Sequence, residues 1–369
     1  MTVAQAPLFP AVSDAVAVPT AWPPAARLAT SADAHTFEGV LCEQWCDWQD
    51  LQVKTLARPP LQPGQVRLAM HHAGIGFALK LFVSGKYQRK PPLPFTPATE
   101  GSGVVIEVGE GVTGLQVGQR VAAALDWGGL AQEAVVTAET VYPVPDELPL
   151  GLAAALPLTY GTTWAAFEWR AKLQPGEVLL VHGASGALGM AAVQIGRFMG
   201  ATVIATASTP EKRAAALANG AHHVLGSEAE ALSSEVKRLT GGRGVDVVFD
   251  PVGGALFDAS LRCTAPEGRM LSIGFASGTI PQVATNLLLV KNISVIGFNY
   301  GLYIGWGLSD ERRRHAATVQ ALMARLFAAV GQGAVARPLT QHVPFAQWRE
   351  GVATTMTRQA VGKVIIDLV

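Results

Sequence analysis

The sequence is poor in cysteine, in charged residues and in long apolar runs. Its 369 residues include only three cysteines, Cys42, Cys46 and Cys263. That number is too small for a disulfide framework and is typical of a protein of the reducing cytoplasm, where we expect this one. Charged residues make up 15% of the chain and the formal net charge is zero, so no nucleic-acid partner is expected. Residues 148–167 carry no charge, but prolines, glycines and threonines interrupt them; a buried segment is therefore favoured over a membrane span.

The first 34 residues differ in composition from the rest. They are rich in alanine and proline, and Arg27 is their only basic residue. They lack the basic start and continuous apolar core of a secretory signal peptide. We expect residues 1–34 to form an irregular N-terminal extension.

Two different patterns follow along the chain. Residues 36–141 contain short β-branched runs broken by glycines, with Val66, Leu68 and Met70 alternating along one of them, which predicts a β domain built of hairpins. After residue 160, strand-like runs alternate with helix-like segments. Repeated strand–helix–strand units predict a doubly wound parallel sheet, so the fold class is α/β.

The segment LLVHGASGALGMAAVQIG, residues 179–196, contains a glycine-rich turn between a strand and a helix. Read from Ala184, it gives A-x-G-x-x-G, with glycines at Gly186 and Gly189. In this motif the first glycine lets the backbone approach a pyrophosphate, and the second lets the helix pack closely on the sheet. The helix N-terminus offers free N–H donors to the phosphates. Because the motif follows a strand and opens a helix, it predicts dinucleotide binding rather than a purely structural turn.

The end of the next strand indicates which dinucleotide is bound. NAD sites usually place a carboxylate there for the ribose 2′-hydroxyl, but residues 206–209 read TAST and the first acid is Glu211. Lys212 and Arg213 follow, and cations suit a 2′-phosphate better than a diol. NADPH is therefore the predicted cofactor; the alternative is that both cations belong to a solvated helix face.

Several motifs resemble those of one superfamily. The stretch GSGVVIEVGEGVTGLQVGQRV, residues 101–121, resembles the N-terminal signature of the medium-chain dehydrogenase/reductases, although Gln119 stands where aspartate is usual. KPPLPFTPATEGSG, YGTTWAA, GASGALG and IGFASG resemble the zinc-independent quinone oxidoreductase branch, which includes zeta-crystallin. The resemblance covers residues 36–369. It implies a GroES-like catalytic domain at residues 35–160, completed by residues 301–369, and a Rossmann dinucleotide-binding domain at residues 161–300.

The resemblance also argues against a metal. Zinc-dependent relatives carry a catalytic cysteine where this chain has Gly76 and a histidine where it has Thr99, and no ligand stands near Leu158. Without thiolate and imidazole ligands there is no Lewis-acid site for an alcohol. No catalytic metal is therefore expected.

The resemblance assigns roles to particular residues. It implies that Gly186, Ala187, Leu188 and Gly189 line the pyrophosphate. Ser208 and Lys212 would meet the 2′-phosphate, joined by Arg358. The residues implied to lie along the adenosine and nicotinamide are Thr163, Gly274, Phe275 and Phe298.

The substrate side departs from the family pattern. Relatives often show N-[FY]-x-D where this chain reads Gly76-Phe77-Ala78-Leu79, so both polar members are lost. Tyr87 is retained, either as a proton donor to an acceptor carbonyl or as an aromatic that only shapes the pocket. Three functions stay open: hydride transfer to a quinone, reduction of an enone or enoyl-CoA, and NADPH binding with little turnover. The resemblance implies a homodimer joined through the strand at residues 296–300.

Other polar groups are expected to be structural. In His71-His72 and His222-His223, adjacent strand residues point to opposite faces, so neither pair forms a ligand set. DERRRH, residues 310–315, is expected to be a solvated helix face rather than a phosphate-binding site. Asp250 is expected to make structural hydrogen bonds at the end of its strand.

Overall fold

A part rich in β-strands comes first, and alternating strands and helices follow it, as the two sequence patterns predict. The computed structural model describes residues 35–369, so the extension predicted at residues 1–34 lies outside the described residues. The strands are β1 (Thr36–Leu41), β2 (Gln52–Ala57), β3 (Gln65–Ile75), β4 (Glu100–Val108), β5 (Arg120–Ala124), β6 (Glu133–Thr137), β7 (Val141–Pro143), β8 (Val178–Val181), β9 (Thr202–Thr206), β10 (His223–Leu225), β11 (Val245–Asp250), β12 (Thr264–Ser272), β13 (Ser294–Gly297), β14 (Thr340–Pro344) and β15 (Lys363–Asp367). The α-helices are α1 (Leu79–Val83), α2 (Leu150–Ala153), α3 (Gly161–Ala165), α4 (Ala187–Phe198), α5 (Pro210–Ala218), α6 (Ala229–Leu239), α7 (Ala255–Cys263), α8 (Thr285–Lys291), α9 (Arg312–Gly331) and α10 (Trp348–Met356).

The first sheet has the order β14-β15-β3-β4-β5-β7, with β6 also paired to β3. Its pairs are antiparallel except for β14 and β15, which run parallel. Val66, Leu68 and Met70 of β3 are fully buried in one apolar cluster, as the alternation predicts. On the opposite side of the same strand Arg67 is also buried. The central strand of this sheet is therefore covered on both faces.

The second sheet is entirely parallel and has the order β10-β9-β8-β11-β12-β13. Counted from β8, the strand order is 3-2-1-4-5-6, the doubly wound arrangement that the sequence predicts. The direction of winding reverses between β8 and β11. Ligands of such sheets bind at the carboxyl ends of the strands at this reversal, which is where the glycine turn after β8 lies.

The uncharged segment predicted to be buried is indeed buried. It forms α2, a π-helical stretch at Leu156–Tyr160 and α3, followed by a second π-helical stretch at Ala166–Ala171. Within residues 35–369, no helix is long and apolar enough to cross a membrane.

One apolar cluster extends across both sheets. Ala122 and Tyr142 of the first sheet pack in the same cluster as Leu179 of β8 and Leu326 of α9. Because this apolar core is continuous between the two sheets, its packing does not mark a boundary between the two predicted domains. The limits given above for the two domains stay a prediction.

The expectation of a solvated face at residues 310–315 is wrong for one residue. Arg312 is only 5% exposed and donates to the carboxylate of Asp126 at 3.0 Å and to Thr137 at 3.0 Å. A buried guanidinium needs such partners because desolvating an unpaired charge is costly. Arg313 and Arg314 are exposed, as expected.

Candidate functional site

The glycine turn between β8 and α4 has the geometry that the motif requires. Gly183 has φ of +60°, a conformation that glycine adopts without steric cost. Gly186 is the N-cap of α4, and a Cβ there would meet only the carbonyl oxygen of Gly183, at 3.5 Å. A Cβ at Gly189 would overlap that same oxygen. The close approach of helix to turn therefore depends on Gly189.

Two other segments hold the turn in place. The amide of Ala184 donates to the carbonyl of Thr206 at the end of β9, at 3.0 Å. The amide of Gly362 donates to the carbonyl of Ser185 at 2.8 Å, and Gly362 also bridges Gly186. The start of β15 thus lies directly beside the predicted pyrophosphate loop.

A cluster of cations lies at the end of β9. Lys212 Nζ donates to the main-chain carbonyl of Arg358 at 2.8 Å. Arg213 donates to the carbonyls of Ala207 and Ser208, at 3.1 and 3.4 Å. Ser208 is exposed, and both Lys212 and Arg213 are partly exposed. Lys212 thus meets the backbone of Arg358, and Arg213 meets the backbone of Ser208. That Ser208, Lys212 and Arg358 bind a 2′-phosphate stays a prediction.

The backbone at Arg358 is unusual. It follows α10 with φ of +60°, the left-handed position at which helices usually place glycine. Its guanidinium donates to the carbonyl of Ala276 and stands 5.9 Å from the ring centre of Phe77. These contacts stabilise a conformation that costs a non-glycine residue about 1–2 kcal/mol, and they link α10 to the loop after β12.

That loop carries Gly274 and Phe275. The amide of Ala276 donates to the carbonyl of Pro251 at 3.0 Å, which ties the loop to the end of β11. Phe275 is 43% exposed. Asp250 accepts hydrogen bonds from the amides of Val252 at 2.7 Å and Gly253 at 2.9 Å, so its predicted structural role is confirmed.

Ala187 and Leu188 form the first turn of α4. Two further predicted cofactor residues, Thr163 and Phe298, lie deeper. Thr163 is fully buried, and its hydroxyl donates to the carbonyl of Thr159 within the same helical stretch at 3.0 Å. Phe298 is 7% exposed, with its ring centre 6.0 Å from that of Tyr303. The structure does not place either side chain beside the cation cluster, and their roles stay predictions.

A buried ion pair that the sequence analysis did not single out lies beside the glycine turn. Lys363, at the start of β15, donates to Glu100, and both side chains are almost fully buried. Glu100 also accepts from the amide of Leu158 at 3.0 Å and the hydroxyl of Thr159 at 3.0 Å. The pair therefore joins β4, β15 and the π-helical stretch. Its members are 263 residues apart, so no local spacing could indicate it.

The same lysine decides whether a catalytic zinc ion fits. A Cβ at Gly76 would stand 4.0 Å from Nζ of Lys363. This ammonium group pairs with Glu100, so the carboxylate is already engaged by a cation. Among the described residues, no group of three histidine, cysteine or acidic side chains surrounds this position. Gly76 and Thr99 offer no zinc ligand of the usual kind. The residues present do not fit a zinc ion here.

Tyr87 lies on the loop after α1. Its ring stacks on Phe82 with centres 4.2 Å apart, and Phe82 in turn meets Trp306 edge-on at 6.2 Å. Trp306 donates to Asp126 at 2.9 Å. Burial raises the pKa of the Tyr87 phenol, so the hydroxyl keeps its proton at neutral pH. Packing accounts for the position of the ring, and the protonated hydroxyl remains available as a donor.

Comparison with known proteins identifies the family. Residues 62–146 match the alcohol dehydrogenase GroES-like domain family and residues 187–317 the zinc-binding dehydrogenase family. A rat protein, quinone oxidoreductase-like protein 2, is 39% identical over 287 residues, covering 78% of this chain and 81% of its own. The structure is similar to that of a Pseudomonas syringae quinone oxidoreductase, with a TM-score of 0.82, 27% identity and coverage of 90% and 100%. It is also similar to the structure of a Thermus thermophilus quinone oxidoreductase, with a TM-score of 0.74, 30% identity and coverage of 90% and 100%. That protein was solved both by itself and in complex with NADPH.

The fold, the glycine turn and these relatives all indicate the same protein family. The GroES-like sheet and the doubly wound parallel sheet are the two parts that the sequence motifs imply. The chain belongs to the medium-chain dehydrogenase/reductase superfamily and, within it, to the quinone oxidoreductase-like branch.

Proposed function

We propose that this protein transfers a hydride from NADPH to a quinone or a similar activated carbonyl acceptor, without a metal ion. The observation that carries the proposal is the cation cluster, in which Lys212 donates to the main-chain carbonyl of Arg358 and Arg213 donates to that of Ser208. No carboxylate ends β9, so the cluster suits a 2′-phosphate and not a ribose diol. The relatives named quinone oxidoreductase support the class of reaction.

In this proposal the chain binds and orients the cofactor. The N-terminus of α4, at Gly186 to Gly189, would hold the pyrophosphate through free amides and the helix dipole. The cation cluster would hold the 2′-phosphate, since guanidinium and ammonium groups form strong charge-assisted hydrogen bonds with phosphate oxygens. Bound NADPH supplies the hydride, and the protein contributes position and exclusion of water.

The buried pair of Lys363 and Glu100 supports metal-free chemistry. Lys363 lies at the start of β15, which borders the glycine turn through Gly362. Its ammonium group is neutralised by Glu100 and lies beside Gly76, the position at which the family resemblance would put a zinc-binding cysteine. Lys363 and Gly76 provide no zinc ligand, so hydride transfer in this proposal uses no metal ion.

Tyr87 is proposed as the proton donor to the reduced acceptor. Its raised pKa keeps the phenol protonated at neutral pH, and the stack on Phe82 fixes the ring. Tyr87→Phe keeps the stack and removes only the hydroxyl. Proton donation by this group typically contributes about 100- to 10,000-fold, so a smaller loss of kcat would assign Tyr87 to shaping the pocket.

A homodimer is also proposed. Among residues 35–369, β13 pairs on one side only, with β12. Leu289 and Val290 of the neighbouring α8 are each 79% exposed. An open strand edge beside exposed apolar side chains suits a two-fold contact in which the same surface of both copies meets.

The test is oxidation of NADPH and of NADH by EDTA-treated protein. The acceptors are benzoquinone, phenanthrenequinone, an enone and crotonyl-CoA, and the readout is the loss of reduced-nicotinamide absorbance. The proposal expects quinone turnover with NADPH preferred over NADH. A preference for the enone or the CoA ester would move the protein to the 2-enoyl reductases. Tight NADPH binding without turnover of any acceptor would instead support a binding protein.

A further inference from the structure

Three polar side chains from three neighbouring strands meet at the end of β15 that lies away from the glycine turn. Oδ1 of Asp367 lies 2.7 Å from Nδ1 of His72 on β3 and 2.8 Å from Nδ1 of His342 on β14. One ligand atom from each residue lies within 4.8 Å of the other two. Neither adjacent histidine pair of the sequence forms a ligand set by itself. His72 instead meets partners that are distant in sequence.

The register of the sheet holds the three residues together. Asp367 stands directly opposite His72 in the antiparallel pair of β15 and β3. His342 stands opposite Ile365 in the parallel pair of β14 and β15. Because side chains alternate along a strand, Ile365 and Asp367 share a face. Three adjacent strands therefore fix the ligand spacing.

Helix α2 packs against both imidazole rings. A Cβ at Gly151 would lie 2.7 Å from Cε1 of His342 and 3.6 Å from Cε1 of His72. The helix backbone thus covers one edge of the rings while their Nδ1 atoms face Asp367. The three side chains are 20–38% exposed, so a dissolved ion can reach them.

The charge of the cluster also suits a cation. Asp367 supplies a carboxylate, which carries a negative charge near neutral pH in its ordinary state. A carboxylate oxygen and two imidazole nitrogens form a donor set that borderline divalent transition metals prefer.

We propose that His72, His342 and Asp367 bind one divalent transition-metal ion of the Zn²⁺ class, with water completing the coordination. Tetrahedral Zn²⁺ at about 2.0–2.2 Å from each ligand separates ligand atoms by about 3.3 Å. The two nitrogens would therefore move about half an ångström away from Oδ1 as the ion replaces the shared protons. Metal ligation needs an unprotonated Nδ1 on each histidine, so binding releases protons and weakens as the pH falls.

The ion would have a structural role. Asp367 stands five residues after Gly362, about 16 Å along an extended strand, so the site is separate from the proposed cofactor cleft. It would tie β3, β14 and β15 to one another and hold the C-terminal strand in the sheet. This inference is independent of the proposed function and of any catalytic metal.

The experiment uses the full-length protein after removal of metals with EDTA. Co²⁺ is titrated and followed by its visible d–d absorption, and Zn²⁺ binding is measured by calorimetry and by thermal unfolding. We expect saturable binding of one equivalent and a higher unfolding temperature with Zn²⁺. His342→Gln, which changes the most exposed ligand, should weaken binding at least tenfold, and Asp367→Asn should do the same. His223→Gln changes an exposed histidine on β10 and should bind like the unmodified protein.

Several outcomes would overturn the proposal. The first is the absence of saturable binding by the unmodified protein. The second is unchanged affinity in His342→Gln, confirmed as folded by circular dichroism. The third is a thiolate charge-transfer band that persists in His342→Gln, which would place the ion at Cys42 and Cys46, whose sulfurs lie 4.0 Å apart.

Discussion

The ammonium group of Lys212 donates a hydrogen bond of 2.8 Å to the main-chain carbonyl of Arg358, which lies 146 residues further along the chain. One residue belongs to the first turn of α5 and the other follows α10. Two segments that are distant in sequence thus meet, and each carries a cationic side chain. The proposed choice of NADPH over NADH depends on these side chains.

Reversing the charge of Lys212 should separate the two cofactors. Lys212→Glu is expected to raise KM for NADPH about 10- to 100-fold, since a hydrogen bond to a charged group contributes about 1.5–3 kcal/mol. KM for NADH should change little. Lys237→Glu makes the same change on the exposed face of α6 and should leave both constants unaltered. Equal effects of Lys212→Glu on both cofactors would contradict the assignment of the 2′-phosphate site.

Replacing Arg358 by glycine should weaken cofactor binding without lowering the stability of the fold. Arg358→Gly removes the guanidinium and relieves the left-handed backbone, so stability should be unchanged or higher by up to about 1 kcal/mol. KM for NADPH should nevertheless rise about tenfold. Lys172→Gly is the matched control, because Lys172 is also an exposed cation with positive φ, at +50°. Thermal unfolding and steady-state kinetics measure both effects, and an unchanged KM in Arg358→Gly would remove this residue from the site.

Gly189 should tolerate no side chain. A Cβ there would overlap the carbonyl oxygen of Gly183, so Gly189→Ala must displace α4 from the turn. We expect a loss of about 1–3 kcal/mol in the free energy of unfolding, together with weaker binding of both nicotinamide cofactors. Gly331→Ala adds a methyl group at the end of α9 with nothing within 4 Å and should be neutral. Urea unfolding and fluorescence titration check this, and normal cofactor binding by Gly189→Ala would refute it.

His71 should make the protein sensitive to acid. Burial lowers the pKa of this histidine from 6.5 to about 4. The folded state therefore takes up the proton less readily than the unfolded chain, and stability falls as the pH drops from 6.5 towards 4. The full effect is about 3 kcal/mol. His71→Leu should flatten this part of the profile of unfolding free energy against pH. Burial also lowers the pKa of His182. The unfolding free energy of His71→Leu should therefore still fall in acid, but by less.

A single charge on α8 should abolish the proposed dimer. Val290→Glu places a carboxylate on the exposed apolar surface beside β13, and burying that charge in a two-fold contact is costly. Light scattering after size-exclusion chromatography should show a dimer for the unmodified protein and a monomer for this variant. Val117→Glu, at a residue that is 65% exposed on another surface, should remain dimeric. A monomeric unmodified protein would disprove the dimer.

The sequence alone determined the features that depend on local chemistry. Thr209 and Pro210 predict the start of α5, and the Thr209 side chain accepts a hydrogen bond from the amide of Lys212 as expected of a cap. The spacing of Gly183, Gly186 and Gly189 predicts the turn between β8 and α4, because only glycine permits that conformation and that close packing. Alternating strand and helix patterns predict the parallel sheet, since parallel strands need a crossover connection.

Only the tertiary structure decided which distant side chains meet. Glu100 with Lys363, Arg312 with Asp126, and Asp367 with both His72 and His342 are pairs that depend on strand register and on the docking of helices. The sequence places Arg312 among charged neighbours and so suggests a solvated residue, but folding buries it against a carboxylate. Periodicity and capping act over a few residues, whereas electrostatic pairing acts between whichever groups the completed sheets bring within a few ångströms.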